Sequence, residues 1–273
     1  MKTLFTIILA AATFAGASAQ DRVIRQNRPT ASFTAIKASG GWDVTVRQGK
    51  QQSVSVEISE RLLDRAVVEV KNGTLHIYSK SGFSISGWHS TVQKAYVTVT
   101  DLERVEASGG VEISFETPVK TDSFELALSG GVDLEDLQLD CDRFKGNFSG
   151  GCDAEIRFIA VQTVRADMSG GCDVELCDIA ARTTRISASG GCDVELTGKA
   201  DELILNASGG CDVSASGLTA RDCNASFSGA ADASIRVTDR LDVTVSGSAD
   251  VTCHGNPGEV NKKVSKSSSL KFI

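Results

Sequence analysis

Between Val105 and Val251 the chain alternates apolar and polar residues with a period of two, the pattern of a strand that buries one of its faces. Within "CDVELC", Cys172, Val174 and Leu176 share one face and Asp173, Glu175 and Cys177 the other. Just upstream, Val164, Ala166 and Met168 alternate in the same way with Arg165, Asp167 and Ser169. The pair Gly170-Gly171 separates the two runs, and a variable stretch such as "DIAARTT" follows them. The unit reads as strand, tight corner, strand and looser return. No window in this region has the spacing of an amphipathic helix.

The unit recurs. The glycine after serine falls at Gly109, Gly130, Gly150, Gly170, Gly190, Gly209, Gly229 and Gly247, in steps of 18 to 21 residues. Four corners read "SGGCD"; others read "SGGVE", "SGGVD", "SGAAD" and "SGSAD", and an outlying "SGGWD" begins at Ser39. A period of about 20 residues is that of a solenoid, too short for a propeller blade or a helical hairpin. Stacked coils put each strand beside its equivalent one turn on, roughly 4.8 Å away. The pattern predicts an all-β chain folded as a parallel β-helix, or β-solenoid, triangular or flattened in section. A right-handed coil follows from the general preference of parallel crossovers.

Residues 31–104 repeat less regularly and are expected to open the solenoid and cap its first coil. Their strands include "WDVTVRQ", "SVSVEIS" and "KAYVTVT"; "KNGT" at Lys71 to Thr74 signals a type I′ hairpin, and "SERLLDRA" a single helical turn. Residues 105–255 are the regular repeats. Residues 256–273, punctuated by Val260, Val264, Leu270 and Ile273, suit either a closing strand and turn or a disordered tail, with lysines that blunt an exposed sheet edge. The solenoid is thus one domain over residues 20–273.

The first 19 residues read as a secretory signal: Lys2, an apolar run from Leu4 to Ala15, and the small triplet Ala17-Ser18-Ala19. The run is too short to span a bilayer, and no later segment supplies a transmembrane helix. The mature chain is expected in the periplasm or at the cell surface. Removing the signal takes away one lysine and makes the formal charge of −7 more negative still. That balance argues against nucleic acid or an anionic lipid surface as partner and permits cations, basic partners and neutral sugars.

Three stretches together carry a family resemblance: "FTAIKASGGWDVTVRQGKQQSVSVEISERLLDRAVVEVKNGTLHIYSK", the serial "SGG-x-D" corners, and "GNPGEVNKKVSKSSSLKFI" at the close. From about Ala31 to Ile273 the chain resembles the putative auto-transporter adhesin, head GIN domain family of Bacteroidetes-type bacteria. The resemblance implies a β-helical fold and an envelope or surface location. It supplies no catalytic residues.

The corners carry the candidate chemistry. Cys152, Cys172, Cys192 and Cys211 stand in phase with the inward valines, and Val111, Val132, Ala230 and Ala249 are read as filling the same slot in other copies. Interchange with Val and Ala suits a small core hydrophobe. Disulfides between coils and a soft-metal column are the alternatives, although a line of thiols does not form the closed tetrahedron zinc needs. Asp133, Asp153, Asp173, Asp193, Asp212, Asp232 and Asp250 should form one outward column, and Glu135, Glu155, Glu175 and Glu195 a second. These acids either accept hydrogen bonds within their corners or present a cation face, centred on 153–155, 173–175, 193–195 and Asp212, that could take calcium. Arg157, Arg165 and Arg185 are candidate partners for them.

Away from the repeat, Phe83, Trp88 and His89 share the loop "SGFSISGWHS", where aromatics either stack on a sugar or anchor a partner, or pack as a lid. The three histidines, His76, His89 and His254, sit in no catalytic motif, and no catalytic residue or organic cofactor is indicated. The expected function is a non-enzymatic adhesin-like binding module of the cell envelope, with a glycan or an envelope or matrix protein as partner. A polysaccharide-processing enzyme and a calcium-stabilised structural solenoid are the competing readings.

Overall fold

A computed structural model describes residues 22–80 and 91–273. The signal segment and the loop holding Phe83, Trp88 and His89 lie outside the described residues. The strands are β1 (Val23–Asn27), β2 (Ala35–Ser39), β3 (Asp43–Gln48), β4 (Ser53–Ser59), β5 (Ala66–Lys71), β6 (Thr74–Ser79), β7 (Gln93–Val99), β8 (Arg104–Ser108) and β9 (Val111–Phe115). They continue with β10 (Val119–Ala160), which runs through two corners, β11 (Thr163–Gly170), β12 (Asp173–Gly190), β13 (Asp193–Gly209), β14 (Asp212–Gly229), β15 (Asp232–Val245), β16 (Asp250–His254), β17 (Glu259–Val264) and β18 (Ser269–Phe272).

From β8 onward every ladder is parallel, and equivalent letters of the repeat face each other. Asp153 pairs with Asp173, Asp173 with Asp193, Asp193 with Asp212, Asp212 with Asp232 and Asp232 with Asp250. The fold is a parallel β-solenoid of about 20-residue coils, as the periodicity predicts. Alternation does the rest: Val174, Leu176, Val164, Ala166 and Ile186 are buried while their sequence neighbours face solvent. Each buried Val, Leu or Ile contributes roughly 1.5–3 kcal/mol of hydrophobic stabilisation, so the single continuous core holds the rod together.

The registers correct two details. The partner of Cys211 one coil on is Ala231, not Ala230, because Asp212 faces Asp232; Ala231 is fully buried and Ala230 is exposed. "SGAAD" therefore keeps the corner spacing, with its second alanine in the core. The two corner glycines also differ. Gly190 has φ +102°, and a Cβ there would come 2.6 Å from the carbonyl oxygen of Gly170 below it. The next residue, Gly191, is not in the left-handed region, and its Cβ would meet only Gly210 O at 3.9 Å. In the regular coils only the first glycine is required by backbone geometry and close approach.

The N-terminal strands stack on the regular coils, but not in chain order. β2 and β3 stack directly on β8 and β9, so that Ser39 pairs with Ser108 and Asp43 with Glu112 across 69 positions. The chain between them is placed on the outer side: β6 pairs with β2 and β7 with β3. Beyond these the ladders turn antiparallel, β5 on β6 and β1 on β4 on β7, which closes this end. The β5–β6 hairpin turns through Asn72 (φ 51°) and Gly73 (φ 74°), as a type I′ turn demands. The expected helical turn is a short 3-10 segment at Glu60–Leu62. Trp42 takes the slot that Cys occupies in later corners; it is fully buried, with Nε1 donating to Ser79 Oγ at 3.2 Å.

At the other end β17 and β18 continue the parallel stack, placing Val260 on Leu241 and Leu270 on Val251. The closing residues thus form strands and a turn. Val260, Val264, Phe272 and Ile273 remain exposed, and the Lys262 ammonium lies 5.5 Å from the centre of the Phe272 ring. An ammonium at an inward-facing position of a terminal strand is a recurrent guard against edge pairing.

Candidate functional site

Each corner cysteine donates to two carbonyls. Cys152 Sγ lies 3.2 Å from Ser149 O and 3.5 Å from Gly130 O, and Cys172 Sγ lies 3.4 Å from Ser169 O and 3.5 Å from Gly150 O. Cys192 and Cys211 repeat the arrangement. The thiol closes its own corner and touches the one below. All eight cysteines are free. Burial pushes the thiols of Cys152 and Cys211 above the usual range, Cys141 to about 11 and Cys223 to about 12. Burial therefore favours the protonated thiol at these four positions, whereas a metal binds the thiolate.

The acids form the two predicted outward columns on the face that follows the corner. Asp133, Asp153, Asp173, Asp193, Asp212, Asp232 and Asp250 are exposed, and Glu155, Glu175 and Glu195 pair in register beside them. None of these seven aspartates takes part in a hydrogen bond or ion pair through its side chain among the described residues, so the expected corner hydrogen bonds are not made. Partial burial first, then the charges of Asp153, Asp193 and Glu195, hold the Asp173 carboxyl above its usual range. Glu175 is raised by burial and then by Glu195, Glu155, Asp173 and Asp153. The carboxylates of Glu155 and Glu175 and the thiol of Cys177 bring their ligand atoms within 4.8 Å of one another. Burial raises the Cys177 thiol, so that set offers two carboxylates, short of the six to eight oxygens calcium takes. A cation held on this face would have to draw on water and the neighbouring aspartates.

The face that precedes the corner is of the other sign in the same coils. Lys145, Arg165 and Arg185 form one exposed column. Arg165 lies 2.8 Å from Asp167 and Lys145 3.7 Å from Glu125, while Arg185 has no ion pair among the described residues. Of the three arginines expected to meet the corner acids, Arg157 alone does so, bridging Glu155 at 3.2 Å and Asp178 at 2.6 Å.

With the corner, the columns and the capped end in view, comparison with known proteins is informative. The model of the putative auto-transporter adhesin, head GIN domain family matches residues 32–157 and again 147–257. The chain belongs to this family. Two solved structures share its fold: an adhesin-titled protein of Parabacteroides merdae (18% identity, TM-score 0.71, covering 92% of this chain and 96% of that one) and another of Parabacteroides distasonis (17%, 0.68, 92% and 97%). A third, from Parabacteroides distasonis, is titled a putative lipid binding protein (22%, 0.67, 92% and 96%). No curated protein matches. No helix among the described residues is long and apolar enough to cross a membrane.

The chain also carries a hollow that its repeat pattern does not announce. A polar groove of about 1020 Å³ lies where the N-terminal coils meet the regular ones. It mixes Asp101, Glu103, Asp122 and Asp142 with Arg104 and Arg143. Its lining comes from the starts of β2 and β8, the β5–β6 turn and the stretches around 101–103, 120–125 and 140–143, which share no repeated signal.

Proposed function

We propose that this family member is an exported, non-enzymatic binding module of the cell envelope that engages a glycan or an envelope protein along its outer faces. The observation that carries the reading is the in-register repetition of like polar groups on exposed strands. A rod that presents the same group at every coil, roughly 4.8 Å apart, offers many weak equivalent contacts to an extended partner. Catalysis needs unequal groups converging on one point, which such ladders do not supply. The acid columns add a calcium-responsive character: a divalent ion held between them would relieve the repulsion that, after burial, raises Asp173 and Glu175. Phe83, Trp88 and His89 complete the proposed contact set.

The mature protein on a glycan and matrix-protein array, beside Trp88→Ala and an Asp173→Asn/Glu175→Gln variant, tests this. Binding of a discrete ligand class, weakened by either variant without unfolding, is expected; a folded protein that binds nothing on either array sinks it. A polysaccharide-processing enzyme is the second reading, and the mixed charges of the groove are what favour it. Release of reducing ends from a polysaccharide, lost in Asp122→Asn or Asp142→Asn with the fold intact, would replace the binding module with the enzyme.

A further inference from the structure

The two charged columns lie in the same coils on opposite sides of the corner. Over residues 143–149, 163–169 and 183–189 the face before the corner carries Arg143, Lys145, Arg165 and Arg185 against the single acid Asp167. Over residues 153–157, 173–177 and 193–197 the face after it carries six carboxylates against Arg157. Both sets ride on the same parallel ladders, so their vertical spacing is identical by construction. Neither set is fully neutralised within the molecule: Lys145, Arg165 and Glu155 have ion pairs of their own with Glu125, Asp167 and Arg157, but Arg185 and the corner aspartates have none among the described residues, and each column stacks like charge on like charge.

We propose that these faces are complementary docking surfaces for a second copy of this chain, laid side by side with parallel axes so that Lys145, Arg165 and Arg185 of one rod meet Glu155, Glu175 and Glu195 of the next. Matched spacing lets three charge pairs form together; a slip by one coil toward Ser214 forfeits one of them, whereas a slip toward Glu135 keeps three, so the charges select the pair of faces and allow two registers. The basic face of one copy meets the acidic face of another, so the contact is heterologous and leaves a free face of each kind at the ends. Association therefore extends beyond a dimer, into a closed ring or an open row of rods, either of which suits a surface module that binds through many weak contacts.

Sedimentation velocity of the mature full chain, across a concentration series at low and high salt, tests the inference. Reversible, concentration-dependent association is expected at low salt and should vanish near 0.5 M, where screening shortens the reach of charge to less than about 8 Å. Arg165→Glu alone and Glu175→Lys alone should each weaken association by about tenfold, and the double variant Arg165→Glu/Glu175→Lys should restore it, because the pair is then reversed rather than broken. Both residues are exposed, so unchanged circular dichroism and melting verify that the variants fold. A monomer at every salt and concentration overturns the proposal, as does a double variant no better than the singles. Association that persists at high salt also overturns it and points to the apolar end at Val260, Val264, Phe272 and Ile273.

Discussion

The irregular N-terminal coils and the regular ones use the same corner but meet the same electrostatic problem in opposite ways. In the N-terminal block, neighbouring strands come from unlike stretches of sequence, and their outward residues complement each other. Lys37 reaches Glu106 at 2.7 Å, Lys94 lies 3.5 Å from Asp43, and Tyr96 donates to Glu57 at 3.2 Å. In the regular coils each strand meets a copy of itself, so aspartate stands on aspartate and glutamate on glutamate. Repetition secures the core, because a valine that fits one layer fits the next, and it forces like charges together on the surface. The block that stopped repeating could pair its charges and turn its edges antiparallel, and so could end the stack.

The corner slot separates the two regions most strongly. Trp42 fills in one coil what Cys152, Cys172, Cys192 and Cys211 fill in others. Trp42→Ala should cost about 3–5 kcal/mol of unfolding free energy, and Trp42→Cys, which writes the regular corner into the irregular coil, most of that amount. Cys192→Ala should cost about 1 kcal/mol, since a single heavy atom, the sulfur, leaves the core. Denaturant unfolding of the three variants measures all of this. Equal losses for Trp42→Cys and Cys192→Ala would mean that the N-terminal coil repacks freely around its corner.

Glycine comes next in size. Gly190→Ala drives a Cβ against the carbonyl of Gly170 at a left-handed φ and should cost about 3 kcal/mol, whereas Gly191→Ala should stay within about 0.5 kcal/mol. Melting curves that rank the two the other way would refute the assignment of the corner to its first glycine.

The charge ladder predicts a smaller effect with a definite sign. The folded-state pKa of Asp173 and of Glu175 is raised above the ordinary values of 3.8 and 4.5, so the folded state holds these protons more tightly. Their penalty is absent below those ordinary values and grows as pH rises through the raised ones. In low salt, acidification from neutrality through the raised values toward the ordinary ones should therefore increase the stability contributed by these groups. Glu106 and Asp239, whose pKa values are lowered, act in the opposite direction further down in pH. Comparing wild type with Glu175→Gln isolates the ladder: the variant should melt higher at pH 7 and show a flatter pH profile, and both differences should shrink in high salt. The smallest effect is expected at the paired end, where Lys37→Ala removes an exposed ion pair and should cost roughly 0.2–1 kcal/mol by thermal unfolding.

Much of the site was legible before the fold was known. Alternation sent Cys172 inward and Asp173 outward, and the glycine spacing placed the acids in columns. The destination of the chain after Gln48 was not legible, because nothing in "SVSVEIS" says that it will lie antiparallel to a strand 40 residues on. The groove was equally silent, since strand starts, a hairpin turn and returns far apart in the chain meet there. Nor could the letters tell that the corner aspartates would lack partners, because hydrogen bonding depends on angles that spacing does not fix.

Sequence by itself determined the coil, its period, its corner and which side of each strand is dry. Those follow from local rules: the two-residue alternation of a strand and the freedom of glycine at positive φ. Only the tertiary structure decided the stacking order of the first coils, the pairing of Ser39 with Ser108, and the meeting of charges across neighbouring coils. These depend on contacts between distant segments, and such contacts are chosen by how whole layers fit and not by any residue's neighbours in the chain.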